Sequence, residues 1–187
     1  MKLQYICDDI FGLILDYLDL KNINDFLDSS LELEYYKNNF YCIILDEYDS
    51  KKYYLDEIYH EEIDKELKEK LVKKLSLTFH NFDDIKDVRA LCNIHRLIII
   101  ECNNIKDVSA LCNVHTLTLE SCKNISDVNP LSNVHNLTLS WCPNITDVNA
   151  LCNVHTLLIG CCKNITDVSA LGNIHTLKIL GCRIFYF

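Results

Sequence analysis

At 187 residues, 49% of them apolar, the chain is long enough to bury a core, and its four glycines and two prolines exclude a disordered chain or a sandwich built on tight turns. No apolar run approaches the ~20 residues that span a bilayer. The net charge of −9 is uneven: residues 1–70 carry 18 acidic and 8 basic side chains, residues 71–187 nine and ten. Neither half holds a basic stripe, so binding to nucleic acid or to an anionic membrane is not expected.

The first nine residues, Met1 to Asp9, are too acidic and too briefly apolar for a signal peptide. A cytoplasmic location is expected, with the eleven cysteines as reduced, small apolar fillers. Residues 6–48 read as three helices. Ile6, Ile10, Leu13, Ile14, Tyr17 and Leu18 share one face at helical spacing. A second short helix covers Leu20 to Leu27. Ser29 and Glu32 form a capping box that opens a third, from Leu31 to about Glu47.

The run from Ile6 to Ile23, with Asp8-Asp9-Ile10, Ile14-Leu15, Leu18 and Leu20-Lys21-Asn22-Ile23, resembles an F-box. It departs from that family at Cys7, where proline is usual, and its third helix lacks the Ser-Lys-x-aromatic pattern. The resemblance implies docking of a Skp-type adaptor through Ile6, Ile10, Ile14, Leu18, Leu20 and Ile23. The alternative is a helical cap over the open end of a solenoid, which would show the same apolar stripe. A linker helix follows, with Leu55, Tyr59, Ile63, Leu67 and Leu71 every four residues, expected to dock on the first repeat.

From there the chain repeats itself every twenty residues without a gap. Ile recurs at 85, 105, 125, 145 and 165, and Asp-Val begins at 87, 107, 127, 147 and 167. Asn-Ile/Val-His begins at 93, 113, 133, 153 and 173. Alternation in Leu117-Thr118-Leu119 makes a short strand with its leucines inward. Extending the register back to Leu77 gives six strands, centred near 78, 98, 118, 138, 158 and 178. The unit Leu-x-x-Val-x-x-Leu-x-Leu-x-x-Cys-x-x-Ile resembles the leucine-rich repeat. That resemblance implies an α/β solenoid with a parallel sheet on its concave face. Twenty residues leave room for only an irregular or 3₁₀ return segment.

Equivalent residues should stack in ladders about 4.8 Å apart. Cys102, Cys122, Cys142, Cys162 and Cys182 form one, and His95, His115, His135, His155 and His175 another. They lie at different phases of the repeat, whereas zinc needs four converging ligands. A nucleophile is a singular site, and these residues recur in nearly every turn. Buried thiols, with Asn and Asp side chains tying down loop backbone, are expected instead, with no enzyme activity, metal or cofactor. The sequons at Asn124, Asn144 and Asn164 share one repeat phase, which points to a structural role.

The concave face presents Arg96, Ile98, Ile100, Thr118, Glu120, Thr138, Ser140, Leu158 and Lys178, with Trp141, the sole tryptophan, in the slot just beyond. Leucine-rich repeats typically bind there, and exposed tryptophan is enriched at hot spots. Trp141 otherwise packs as a lid over Ser121 and Cys161. Residues 184–187, Ile-Phe-Tyr-Phe, either fold over the last turn or leave a sticky edge.

The expected organisation is an F-box-like region over 1–48, a linker helix over 49–74 and the solenoid over 75–187. That order resembles the substrate-receptor subunits of cullin–RING ubiquitin ligases. The composition is similar to F-box/leucine-rich-repeat proteins of giant DNA viruses or AT-rich protists, which implies a host or own adaptor, an unidentified protein target and, for a viral chain, the host cytoplasm. The alternative is a leucine-rich-repeat binding or structural module with no ligase link.

Overall fold

Leucines two apart must share one side of an extended chain. In Leu117-Thr118-Leu119 the leucines are buried and the threonine is half exposed. The same pattern recurs at Leu97 and Ile99, Leu137 and Leu139, and Leu157 and Ile159, and each of these turns contributes one five-residue strand. The protein, as a computed structural model, is described over residues 40–68 and 72–183.

The strands are β1 (Phe40–Ile44), β2 (Val72–His80), β3 (Arg96–Ile100), β4 (Thr116–Glu120), β5 (Asn136–Ser140), β6 (Thr156–Gly160) and β7 (Thr176–Leu180). They form one parallel sheet in chain order. From β2 onward the register advances by twenty residues: Ser76 pairs with Arg96, Arg96 with Thr116, and so on to Thr156 with Thr176. Each return segment is a 3₁₀ turn, as in Ser109–Asn113, where the N–H groups of Leu111 and Val114 donate to Val108 and Leu111 carbonyls at 2.9 and 3.1 Å. An aspartate starts each one: Asp107, Asp127, Asp147 and Asp167 accept the N–H two residues on at 2.8–2.9 Å. The fold is an α/β leucine-rich-repeat solenoid.

The first turn is different. Phe40 pairs with Val72, a step of thirty-two residues, and the insertion is two helices, α1 (Glu47–Leu55) and α2 (Glu57–Lys68). Two expectations are corrected here. The sheet has a seventh strand, β1, where the third helix was expected to run on to Glu47. Phe40 to Leu45 is an unbroken run of apolar β-branched, aromatic and sulfur side chains, which suits a strand and offers a helix no polar side. The sheet thus begins inside the segment assigned to the F-box-like region. The single linker helix is in fact two. Asp56 breaks it: its carboxylate accepts the N–H groups of Ile58 and Tyr59 at 3.0 and 3.2 Å, starting α2 afresh. Leu55 is consequently 62% exposed, and Tyr53, at 2%, takes the core position. Ile6, Ile10, Ile14, Leu18, Leu20 and Ile23 lie outside the described residues, as do residues 184–187.

The helical turn does dock on the first repeat. Tyr54 meets Phe79 and Phe82 edge-on at 6.1 and 5.8 Å. Tyr53 donates to Asp64 at 2.9 Å and stacks on His60. Beyond the end of β1, the buried Ser50 hydroxyl accepts the N–H of Thr78 at 2.9 Å and donates to the Leu45 carbonyl at 3.1 Å.

Every strand from β2 on ends in a left-handed residue: Asn81, Glu101, Ser121, Trp141, Cys161 and Gly181, with φ between 47° and 68°. From Asn81 to Cys161 that turn aims the N–H at the last carbonyl of the next strand, as in Ser121 to Ser140 at 2.8 Å. Only Gly181 adopts it without steric cost, and its missing Cβ would stand 3.0 Å from the Cys161 thiol. Ser121→Gly is therefore expected to stabilise the chain, by up to ~1 kcal/mol once glycine's greater freedom in the unfolded state is offset. A lower urea midpoint than wild type would contradict the strain.

Candidate functional site: the exposed face of the sheet

Four of the five ladder cysteines have no exposed surface, and Cys182, at the last described turn, is half-buried. Cys102, Cys122, Cys142 and Cys162 are fully buried. Their thiols face carbonyls of their own and the preceding turn, as Cys122 does Glu120 at 3.4 Å and Ile99 at 3.7 Å. Burial pushes the Cys122 thiol up to about 11, which keeps it a protonated donor at neutral pH. The sequon asparagines are also occupied by structure: Asn124, Asn144 and Asn164 donate to Asn103, Lys123 and Pro143 carbonyls at 2.6–2.7 Å. The alignment of these donors holds successive turns in register.

The histidines sit at the opposite ends of the strands and stack on one another. From His95 to His175 consecutive ring centroids are 4.4–4.7 Å apart and within 20° of parallel. Burial, and then the neighbouring imidazoles of His135 and His175, hold His155 below its ordinary value of 6.5. The unfolded chain thus takes up this proton first as pH falls. Stability is full above pH 6.5 and is lost as pH falls through the folded-state value. The melting temperature is expected to drop between pH 7.5 and 5.5, and an unchanged value would remove the repulsion as a factor. Among the described residues no group of three His, Cys, Asp or Glu side chains is placed to hold a metal ion. No described helix is long and apolar enough to cross a membrane.

Side chains pointing away from the core form three rows across the sheet. Thr78, Ile98, Thr118, Thr138, Leu158 and Lys178 are the middle one, held in register by the strand pairing. Ile98, Ile100, Thr118, Glu120, Thr138, Ser140 and Leu158 are half-buried, while Arg96 and Lys178 are exposed. The residues expected on one face are thus brought to one face. Its middle is polar: Asn136 donates to the Thr116 hydroxyl at 3.4 Å. Trp141 stands on the lip of the sheet, 54% exposed.

One feature of this surface had no signal in the sequence. Because α1 lies beside β2, Glu47 comes within 3.9 Å of His80, whose other ring nitrogen is 3.6 Å from Glu101. A charged corner closes the N-terminal end of the face. The corner depends on a helix that begins at Glu47, where the sequence pattern predicts the end of one.

No protein-family model matches the chain, and no curated protein matches its sequence. Among solved structures it is similar to an internalin, inlF, of Listeria monocytogenes, at 24% identity and a TM-score of 0.48, over 63% of this chain and 37% of that one. It is similar also to internalin C2 of that organism, at 22% identity and 0.47, over 62% and 54% of the two chains. The chain therefore spans between about a third and about half the length of these internalins.

Proposed function

We propose that this solenoid is a protein-binding module that uses the exposed sheet face and performs no chemistry. The observation that carries this reading is Trp141. A large aromatic side chain held 54% exposed in a left-handed turn is what a binding anchor needs. Ile98, Ile100 and Leu158 beside a polar middle give the apolar-and-polar mix of an interface. The repeated reactive residue types favour no rival: Cys102, Cys122, Cys142 and Cys162 are buried, and the imidazoles from His95 to His175 stack. Affinity capture with Trp141→Ala, Ile98→Arg and Leu158→Arg combined should lose the partner that wild type retains. A variant changed on the return segments, Lys106→Glu with Asn149→Ala, should keep it. Loss from both, or from neither, would count against this face.

The run from Ile6 to Ile23 supports a finer reading, in which the chain is the substrate receptor of a cullin–RING ubiquitin ligase. A Skp-type adaptor would dock on Ile6, Ile10, Ile14, Leu18, Leu20 and Ile23, and the sheet face would hold the target. Packing of α1 against Phe79 and Phe82 favours it, since that end of the core already has helical cover. Purified chain should bind a eukaryotic Skp-type adaptor, and Ile10→Asp with Ile14→Asp should abolish binding with the fold intact. Failure of wild type to bind would leave the plain binding module.

A further inference from the structure

The two helices of the first turn carry an apolar surface that the core does not use. Among the described residues five large apolar side chains stand well exposed, and three of them belong to α1 and the first turn of α2. They are Tyr48 at 76%, Leu55 at 62% and Ile58 at 72%. Tyr48 and Leu55 are seven residues apart on α1, so they share one face, about 10 Å apart along the axis. The other side of α1 packs inward, with Ser50 and Tyr53 buried and Tyr54 against Phe79 and Phe82. A surface helix ordinarily has one apolar side, and α1 has two. Ile58 follows Leu55 across the break at Asp56, on the side of α2 turned from the buried Ile63.

The surroundings of this row are acidic. Residues 46–62 carry seven carboxylates against two lysines. Both lysines are engaged, Lys51 with Glu47 at 2.6 Å and Lys52 over the ring of Tyr59 at 4.0 Å. Asp46, Asp56, Glu57, Glu61 and Glu62 are all exposed. The sign of that charge decides among occupants. Residues 1–39 of the chain hold eight acidic and three basic side chains, so that segment is repelled. A second copy would bring the same acidic surface, and nucleic acids and anionic membranes share its sign.

We propose that α1 and the start of α2 form a second docking surface, which takes a basic amphipathic helix of a partner protein. Its apolar side chains would lie on Tyr48, Leu55 and Ile58, and its lysines or arginines would meet the carboxylates around them. A row of apolar groups two helical turns long matches anchors on one face of a helix, and charge complementarity sets the sign of the flanks. None of these residues belongs to the sheet, so this surface stands or falls apart from the sheet face.

The probe is the fluorescein-labelled, end-blocked peptide Lys-Leu-Leu-Lys-Lys-Leu-Leu-Lys-Lys-Leu-Leu-Lys. Two controls replace every lysine by glutamate or every leucine by serine. The full chain is titrated into each to roughly 0.5 mM, with anisotropy as the readout. The basic apolar peptide should saturate, and both controls should bind at least tenfold more weakly. Leu55→Ser with Ile58→Ser leaves the charge unchanged and, confirmed folded by circular dichroism, should weaken the basic peptide at least tenfold. Glu57→Lys, Glu61→Lys and Glu62→Lys combined should shift the preference toward the acidic peptide. Trp141→Ala should bind as wild type does. No saturation by the basic peptide, or equal binding of the acidic one, would overturn the proposal. Binding that Leu55→Ser with Ile58→Ser leaves intact would overturn it too, since net charge alone would then hold the peptide. A dimer in sedimentation that the same double variant dissolves would overturn it in favour of a second copy.

Discussion

Leu117→Ala should cost about 3–5 kcal/mol, the range for truncating a fully enclosed leucine whose surroundings cannot collapse. Leu117 is 1% exposed and stands between Leu97 and Leu137 in the inner column of the sheet. The same change at Leu177, in the same column, should cost markedly less. Leu177 lies on the last described strand and is only half-buried, because no described turn covers it. The comparison reads the one-dimensional character of the fold, in which each turn is stabilised by its two neighbours. Urea melts of the two variants measure it. Equal losses would contradict a core that thins toward β7.

Ser50→Ala should cost about 2–4 kcal/mol although it removes one oxygen. The hydroxyl satisfies two buried backbone groups at once, the N–H of Thr78 and the carbonyl of Leu45. Each orphaned group loses its hydrogen bond and keeps its desolvation penalty, about 1–3 kcal/mol apiece before relaxation. The damage should be local. Amide exchange at Thr78 should accelerate before exchange at Thr118 or Thr138, since α1 unlatches from the edge of β2 while the later turns stay paired. Uniform acceleration along the sheet would show that the helical turn does not open by itself.

The repeats were legible because a solenoid writes its structure in a period. Ile105, Val108, Leu111, Val114, Leu117 and Leu119 are each nearly or fully buried, as their spacing requires, and the same set recurs in the neighbouring turns. The left-handed row was not legible. Asn81, Glu101, Ser121, Trp141 and Cys161 share a backbone conformation and no chemistry, and a sequence signals that conformation only where glycine holds it, at Gly181. The first turn was misread for a related reason. Tyr41-Cys42-Ile43-Ile44 is too short an apolar run for period to separate strand from helix, and only its pairing with β2 decides it. Asp56 carried a readable signal, a capping aspartate ahead of Glu57. It was overridden by the four-residue spacing from Leu55 to Leu71. The outward residues of the sheet were legible as positions, since alternation fixes them. What they bind is not encoded by alternation.

The most direct measurement of the central claim is a photo-cross-linking comparison in the producing cell. A benzoylphenylalanine replaces Thr138 on the exposed sheet face in one chain and Asn149 on a return segment in another. The account predicts a discrete protein adduct from position 138 that disappears when Trp141→Ala is added, and none of matching size from position 149. Adducts of equal yield from both positions, or an adduct at 138 indifferent to Trp141, would contradict it.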